Sequence, residues 1–242
     1  MAASPLTDYE IYIRTAELLA LQKRPEALAC HDELQFQIVH QTAELWMKLI
    51  DHEMRYLCRA LDEDRLTQAC RTLGRVHRVQ QLLLDGLELL YTMSPLDYMR
   101  IREVLGRGSG QESPGFRRLL ALGGEVWPHF EAVLARRGLT LEAVYRRASE
   151  HPEVHAVAEG LLDFDLRLQE WRNRHLLLVY RTIGVGTPSL KGKHSELLER
   201  GLRTQFFPRL WAVRDELFDQ WSRTHPGGAT RYLSERTGEE GP

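Results

Sequence analysis

HDELQFQIVHQTAELWMKLIDHE, residues 31–53, is the stretch that decides the fold. Its apolar and aromatic side chains recur at spacings of three and four, which predicts one long amphipathic helix. The apolar face carries Phe36, His40, Ala43, Trp46 and Met47. A histidine within such a face is either a buried structural residue or the polar tip of a pocket.

The same helical period extends along nearly the whole chain, and no alternating run typical of a strand persists. Gly86 interrupts one predicted helix, whereas Ser94-Pro95 is a helix start signal. The predicted helices span 9–22, 32–60, 64–93, 98–105, 115–122, 125–136, 140–149, 152–183 and 206–223. This pattern predicts a single all-α domain built as a helical bundle. Its three helices of ~30 residues reach about 45 Å each, which indicates oligomer contacts.

Composition argues against several classes of function. The 242 residues include 32 Lys and Arg against 34 Asp and Glu, so no overall charge favours nucleic acid or an anionic membrane. Three cysteines without a CxxC disfavour a disulfide framework or a zinc ribbon. No basic leader and no apolar run of ~18–20 residues is present, so we expect a soluble, cytoplasmic protein.

The ten histidines do not follow the spacing of a metal site built from protein ligands alone. None has an acidic residue three positions before it, as di-iron bundles require, and HExxH is absent. His151 and His155 lie four apart without an evident third ligand. The preferred interpretation for this pair is surface histidines.

His175 stands out because it lies deep in a predicted long helix, within WRNRHLLLVYRTIG. Trp171 precedes it by one turn, and aliphatic residues follow it. An imidazole that projects from a helix into an apolar space suits a proximal haem ligand. Taken alone, a satisfied buried histidine is the more frequent explanation, but His40 on a second apolar face strengthens the haem hypothesis.

Tyr98 and Arg102 lie four apart on a short predicted helix and therefore point the same way. They offer a phenol and a planar two-pronged donor suited to a carboxylate. The alternative is a solvated arginine beside a half-buried tyrosine. Gly108-Ser109-Gly110 offers backbone donors to an anion, although a lone GSG is a weak signal.

Six segments together resemble tryptophan 2,3-dioxygenases, the haem-dependent aromatic oxygenases, and they occur in the family's order. The two long ones are HDELxFxxxHQTxELWxKLxxHE at 31–53 and SPxxYMxxRxVLGxxSG at 94–110. The four short ones are YxxYI at 9–13, WRxRH at 171–175, RxIG at 181–184 and FFPxLxxxR at 206–214.

This resemblance implies a haem b pocket enclosed by the three long helices, with His175 as the axial iron ligand. His40 is then the distal histidine that accepts a hydrogen bond from the indole N–H, and Phe36 packs against the indole ring. On the same helix the resemblance also assigns Gln37, Ile38 and Val39 to the substrate, and it assigns Ser109, Gly110 and Trp171 to the haem.

The resemblance also implies substrate contacts from two further segments. Arg102 binds the substrate carboxylate with Tyr98 beside it. Tyr9, Tyr12 and Ile13, in an N-terminal segment 1–25, reach the pocket of a neighbouring subunit within a homotetramer built as a dimer of dimers. The haem oxygenase domain is expected over 1–228, followed by a polar tail over 229–242.

One loop departs from the family pattern. The family's glycine-rich GTGGSSG loop, which closes over the substrate and contacts its ammonium group, is replaced here by VGTPSLKGKHSE at 185–196. An ungapped match puts Ser189 at the place of the substrate-contacting threonine, and Thr187 is the alternative. The glycines that let a lid bend are lost, so the same closure is not assured.

Three functions are compatible with these features. The first is dioxygenation, in which both atoms of O₂ enter N-formylkynurenine formed from L-tryptophan or a close derivative. The second is insertion of one oxygen into a tryptophan or methyltryptophan to give an oxindole-type product in natural-product biosynthesis, an alternative prompted by the altered loop. The third is a non-catalytic haem sensor, which would not need Arg102, Tyr98 and Phe36 together.

Overall fold

The structure is a computed structural model that describes residues 6–106, 108, 110–185 and 204–225. Within these ranges every regular element is helical, with nine α-helices and two 3₁₀ helices, which confirms the all-α prediction. The α-helices are α1 (Asp8–Ile13), α2 (Thr15–Leu19), α3 (Asp32–Asp62), α4 (Leu66–Leu90), α5 (Pro95–Leu105), α6 (Pro114–Arg136), α7 (Leu141–Arg146), α8 (Pro152–Ile183) and α9 (Pro208–Thr224). The 3₁₀ helices are Pro25–Ala27 and Gly110–Glu112.

The three long predicted helices are α3, α4 and α8, of 31, 25 and 32 residues. Gly86 does not interrupt α4, where an added Cβ would lie 3.6 Å from Val39 Cγ1 in ordinary contact. The apolar residues that recur at spacings of three, four and seven along α4 are all buried: Leu66, Leu73, Val76, Leu83, Leu87 and Leu90. The start signal of α5 is also confirmed, since Ser94 caps the helix by accepting a hydrogen bond from Asp97 N at 3.0 Å.

Two predicted boundaries are wrong. The segments 115–122 and 125–136 form one helix, α6, which continues through Gly123-Gly124 and contains Pro128. The single helix predicted over 9–22 is instead divided into α1 and α2 at Arg14, which has a φ of 54°. Neither α1 nor α2 buries any residue, so no packing holds this segment in one continuous helix.

The chain divides into two compact units, each assembled from separated segments. Unit 1 comprises 1–48, 81–117 and 170–202, and unit 2 comprises 49–80, 118–169 and 203–242. The predicted domain over 1–228 stays a prediction, and the tail 229–242 lies outside the described residues. None of the helices described is long and apolar enough to cross a membrane.

Unit 2 contains a fully buried carboxylate. Asp165 of α8 accepts hydrogen bonds from Phe206 N at 2.8 Å, Phe207 N at 3.3 Å and Trp211 Nε1 at 2.8 Å. Three N–H donors satisfy the buried oxygen and fix the start of α9 against α8.

Candidate active site

His40 lies in unit 1 on α3, beside the aromatic ring of Phe36. The two ring centroids are 4.1 Å apart, and His40 Nδ1 lies 2.7 Å from the Phe36 carbonyl oxygen. A carbonyl oxygen only accepts hydrogen bonds, so Nδ1 carries a proton and donates this hydrogen bond. The other ring nitrogen, Nε2, is thereby left with a lone pair that can accept a hydrogen bond.

Burial lowers the pKa of His40, although the Phe36 carbonyl and the negative charge of Glu44 oppose that shift. The side chain is nevertheless open to solvent. The neutral imidazole is therefore favoured at neutral pH, and its ring is open to solvent.

His175 lies on α8 in the same unit, and its ring is stacked on the indole of Trp171. The centroids are 5.3 Å apart with an interplanar angle of 9°. On the other side, Trp171 contacts Phe116 at 5.5 Å. Burial lowers the pKa of His175 to about 4, and the charge of a protonated His40 lowers it further. The neutral ring is thus ready to bind a metal without first losing a proton.

Apolar side chains from three helices surround this region. The buried residues Val39, Leu87, Leu90 and Leu178 form one cluster, against which Phe36, Tyr91 and Trp171 pack. The Tyr91 hydroxyl donates to the carbonyl oxygen of Arg174 at 3.0 Å. This contact ties the end of α4 to the residue that precedes His175.

Tyr98, which shares α5 with Arg102, lies near Phe36, the ring that contacts His40. The rings of Tyr98 and Phe36 are 6.3 Å apart. Burial raises the pKa of the Tyr98 hydroxyl, while the positive charge of Arg102 lowers it. The guanidinium is therefore close enough to act electrostatically on Tyr98, and both side chains are only partly exposed. This proximity is what their spacing of four along one helix predicts.

The three residues that precede His40 on α3 have different surroundings. The Gln37 amide accepts a hydrogen bond from Lys23 N at 3.0 Å and donates one to Glu33 Oε1 at 3.2 Å. Ile38 is exposed, and Val39 is buried in the apolar cluster. Five consecutive helical residues cannot all point into one pocket, because successive side chains diverge by about 100°. Of the five residues, Phe36 and His40 lie one turn apart on α3 with their rings in contact.

The remaining predicted residues are not brought to the histidines within the described chain. Tyr9, Tyr12 and Ile13 are exposed on α1. Gly110 begins the short 3₁₀ helix before α6. Ser109, Thr187 and Ser189 lie outside the described residues.

The donor set suits an iron held in a macrocycle better than a metal held by protein ligands alone. Within the described ranges no three His, Cys, Asp or Glu side chains come together as a metal cluster. His175 provides one neutral imidazole beside apolar walls, which is the ligation that a haem iron requires. His151 and His155 are half-buried rather than on the surface, and His155 packs edge-on against Tyr145 at 5.2 Å.

Sequence reasoning missed Phe116 and Tyr91 as supports of the site. Ser113-Pro114 repeats the start signal of Ser94-Pro95, and that pair could have placed Phe116 in the first turn of a helix. No comparable signal marks Tyr91, whose role depends on a carbonyl of a distant helix.

Fold and site together define an all-α protein in which histidines on two different helices interact electrostatically, and one of them contacts an aromatic ring near a Tyr/Arg pair. The family model for tryptophan 2,3-dioxygenase matches residues 2–127. A tryptophan 2,3-dioxygenase of Saccharopolyspora erythraea is 34% identical over an alignment of 261 positions, which includes 86% of this chain and 92% of that protein. One of Myxococcus xanthus is 30% identical, with 91% of this chain and 93% of that protein covered. The chain belongs to the tryptophan 2,3-dioxygenase family.

Proposed function

We propose that this protein is a haem-dependent dioxygenase that acts on L-tryptophan or a close derivative and yields an N-formylkynurenine-type product. The observation that carries the proposal is the pair of neutral histidines, His40 and His175, on separate helices beside Phe36, Tyr98 and Arg102. Membership of the family supports the reaction class.

His175 is the residue proposed to hold the haem iron. Its neutral ring, its stack on Trp171 and the apolar cluster beside it fit haem b, which supplies the iron chemistry for O₂ activation. Gly110 and Ser109 stay proposed haem contacts from the family resemblance. The protein groups around His175 then serve to orient its ring and exclude water.

His40 and Phe36 are the residues proposed to bind the indole. Nε2 of His40 accepts the indole N–H, since Nδ1 is already engaged with the Phe36 carbonyl. The Phe36 ring packs against the aromatic ring of the substrate. Holding the indole in one orientation supplies the proximity on which an addition to its C2–C3 bond depends.

Arg102 is proposed to bind the substrate carboxylate through its two-pronged guanidinium, with Tyr98 beside it. Because Gln37 and Val39 contact other parts of the protein and Ile38 is exposed, we narrow the proposed substrate contacts on α3 to Phe36 and His40. Ser189, or Thr187, stays the proposed loop contact to the ammonium group.

We further propose a homotetramer, a dimer of dimers, in which Tyr9, Tyr12 and Ile13 reach a neighbouring pocket. The exposure of these side chains supports this: Tyr12 is 88% and Tyr9 69% exposed. Apolar side chains left open on a helix that buries nothing are typical of a surface that a partner covers.

The second candidate function is insertion of a single oxygen atom into a tryptophan-like indole. Its support is the sequence at 185–196, where Pro188, Leu190 and Lys191 replace residues of the family's flexible lid. A displaced ammonium group would change how the substrate is held during the second oxygen insertion.

Single turnover under ¹⁸O₂, with tryptophan and substituted tryptophans, separates these functions. Two labelled atoms in a ring-opened product are the expected result. One labelled atom together with a need for external reductant would replace the dioxygenase by the monooxygenase. A purified protein without a Soret band after expression with haem supplementation would contradict both oxygenases.

A further inference from the structure

Glu44 connects the helix of His40 to the start of α6. It follows His40 by one turn on α3, and its Oε2 accepts a hydrogen bond from Gly115 N at 2.9 Å. Its Oε1 accepts the hydroxyl hydrogen of Ser113. The Ser113 oxygen in turn accepts from Phe116 N at 2.9 Å. Two residues thus satisfy the free N–H groups of the first turn of α6.

The chain at this contact is built for close approach. A Cβ added to Gly115 would lie 2.7 Å from Glu44 Oε2 and 2.9 Å from Met47 Cβ, both too close for a side chain. The glycine therefore lets α6 begin directly against α3. A carboxylate at a helix N-terminus is also favoured by the helix dipole.

Aromatic contacts connect the first turn of α6 to His175, the proposed haem ligand. Phe116, whose N–H is capped by Ser113, contacts Trp171 at 5.5 Å, and Trp171 stacks on His175 at 5.3 Å. The guanidinium carbon of Arg172 lies 5.8 Å from the Phe116 ring centroid. A shift of the α6 start would therefore move the aromatic stack that supports His175.

Glu44 also acts on the other histidine. Burial is the main influence and lowers the pKa of His40, the Phe36 carbonyl raises it, and the negative charge of Glu44 raises it as well. The Glu44 carboxylate thus contacts the start of α6, which supports His175, and it also acts electrostatically on His40.

We propose that Glu44 is a positioning residue that fixes the orientation of His175 through Ser113, Gly115, Phe116 and Trp171. The proposal deepens the proposed function and rests on His175 as the haem ligand. Outer partners that orient a metal-binding histidine typically change affinity or activity about 10–100-fold when removed.

The test compares Glu44→Ala with Glu44→Gln and with Thr140→Ala as a matched control. The amide of Gln keeps an oxygen for Gly115 N–H and a polar group for Ser113. Thr140 caps α7 in unit 2 by accepting a hydrogen bond from Ala143 N at 3.1 Å, so its loss removes a helix cap from the unit that does not contain His40 and His175. Ser113→Ala is the second variant if Glu44→Ala does not fold.

The first readout is titration of each apo protein with haemin. We expect Glu44→Ala to bind haemin about tenfold or more weakly, with an altered low-temperature spectrum of the ferric haem. Glu44→Gln should restore near-normal affinity, and Thr140→Ala should lower the melting temperature without changing affinity. Normal haemin affinity in Glu44→Ala would overturn the proposal.

The second readout needs no haem, so it separates this proposal from the proposed function. In apo protein labelled with fluorotryptophan, the ¹⁹F resonance of Trp171 is assigned with Trp171→Phe. We expect Glu44→Ala to shift or broaden that resonance while the resonances of Trp127 and Trp211 stay in place. An unmoved Trp171 resonance would overturn the positioning role. If Glu44→Ala moved the Trp171 resonance but the wild-type protein bound no haemin, only the proposed function would be refuted.

Discussion

At His175 and His40 the same physical effect, loss of solvation, suits the two different tasks that we propose for them. A neutral imidazole is required both to bind iron and to accept an indole N–H, and burial lowers the pKa of each histidine. The Phe36 carbonyl then distinguishes them, because it fixes the proton of His40 on Nδ1. Helical geometry thus sets the chemistry of His40 through a residue one turn away.

Arg102 allows a prediction at the residue scale. Arg102→Ala should raise the KM for tryptophan, because loss of a buried, charge-assisted contact to a carboxylate costs about 2 kcal/mol or more, a factor of roughly 30 or more. The Soret spectrum should stay unchanged, since His175 and not Arg102 is the residue proposed to hold the haem. Steady-state kinetics and absorbance spectra provide the measurement.

Arg100→Ala is the matched control for Arg102→Ala. Arg100 lies on the same helix and pairs with Asp97 at 3.1 Å, with 63% of its side chain exposed. Its removal should leave KM unchanged. Arg102→Lys keeps the charge but loses the two-pronged geometry, so an intermediate KM is expected. An unchanged KM in Arg102→Ala would refute the assigned role.

At the scale of elements, α6 shows how a close backbone contact determines a sequence. A Cβ on Gly123 would lie 2.5 Å from the Phe206 carbonyl oxygen and 3.1 Å from the Phe206 carbonyl carbon. These are backbone atoms, and Asp165 holds the N–H groups of Phe206 and Phe207. The segment before α9 therefore cannot easily move away.

Gly123→Ala should lower the free energy of unfolding by about 1–3 kcal/mol, the usual cost of overpacking. Gly124→Ala, one position along, is the control, because nothing lies within 4 Å of its added Cβ. That change should stabilise the protein by roughly 0.5–1 kcal/mol, since alanine favours a helix over glycine. Urea denaturation of both variants measures the difference, and equal effects at the two positions would refute the contact.

The elements that could be predicted from the sequence are those with a long helical period. The prediction of 152–183 for α8 agrees with the structure at both ends, and the ends of α3 and α4 differ by three residues or fewer. α6 could not be predicted as one helix, since Gly123-Gly124 and Pro128 signal an interruption locally. Packing against Phe206 explains the glycine, and this contact joins residues far apart in sequence.

The residues of the candidate site likewise divide into those that the sequence predicts and those that it does not. The pairs Phe36/His40 and Tyr98/Arg102 could be placed by spacing along one helix. Glu44 and Phe116 could not, because their roles depend on contacts between α3, α6 and α8. Contacts that cross between distant segments leave no periodic pattern in the sequence.

At the scale of the whole molecule, the N-terminal helices expose more apolar surface than they bury. Tyr12 is 88%, Leu19 70% and Tyr9 69% exposed, and α1 and α2 bury no residue. Nevertheless Thr7 and Glu10 form a complete capping box at the start of α1. A helix that is capped but leaves its apolar side chains open is consistent with a segment that docks on another copy of the chain.

Complementation between two variants with different defects tests whether this segment completes a neighbouring pocket. One parent carries His175→Ala, which should bind no haem but keeps an intact N-terminal segment. The other carries Tyr12→Ala and Ile13→Ala, which should bind haem but have a raised KM for tryptophan. If the segment acts in a neighbouring subunit, co-expressed mixed oligomers recover pockets with haem and an intact segment, because the first parent supplies the segment to the second. The KM of that fraction should return to the wild-type value.

Each parent alone, and the two mixed after separate purification without subunit exchange, are the controls, with oligomer size measured by mass photometry. If the segment acted within its own subunit, no mixture could combine the two intact parts, and the KM would stay raised.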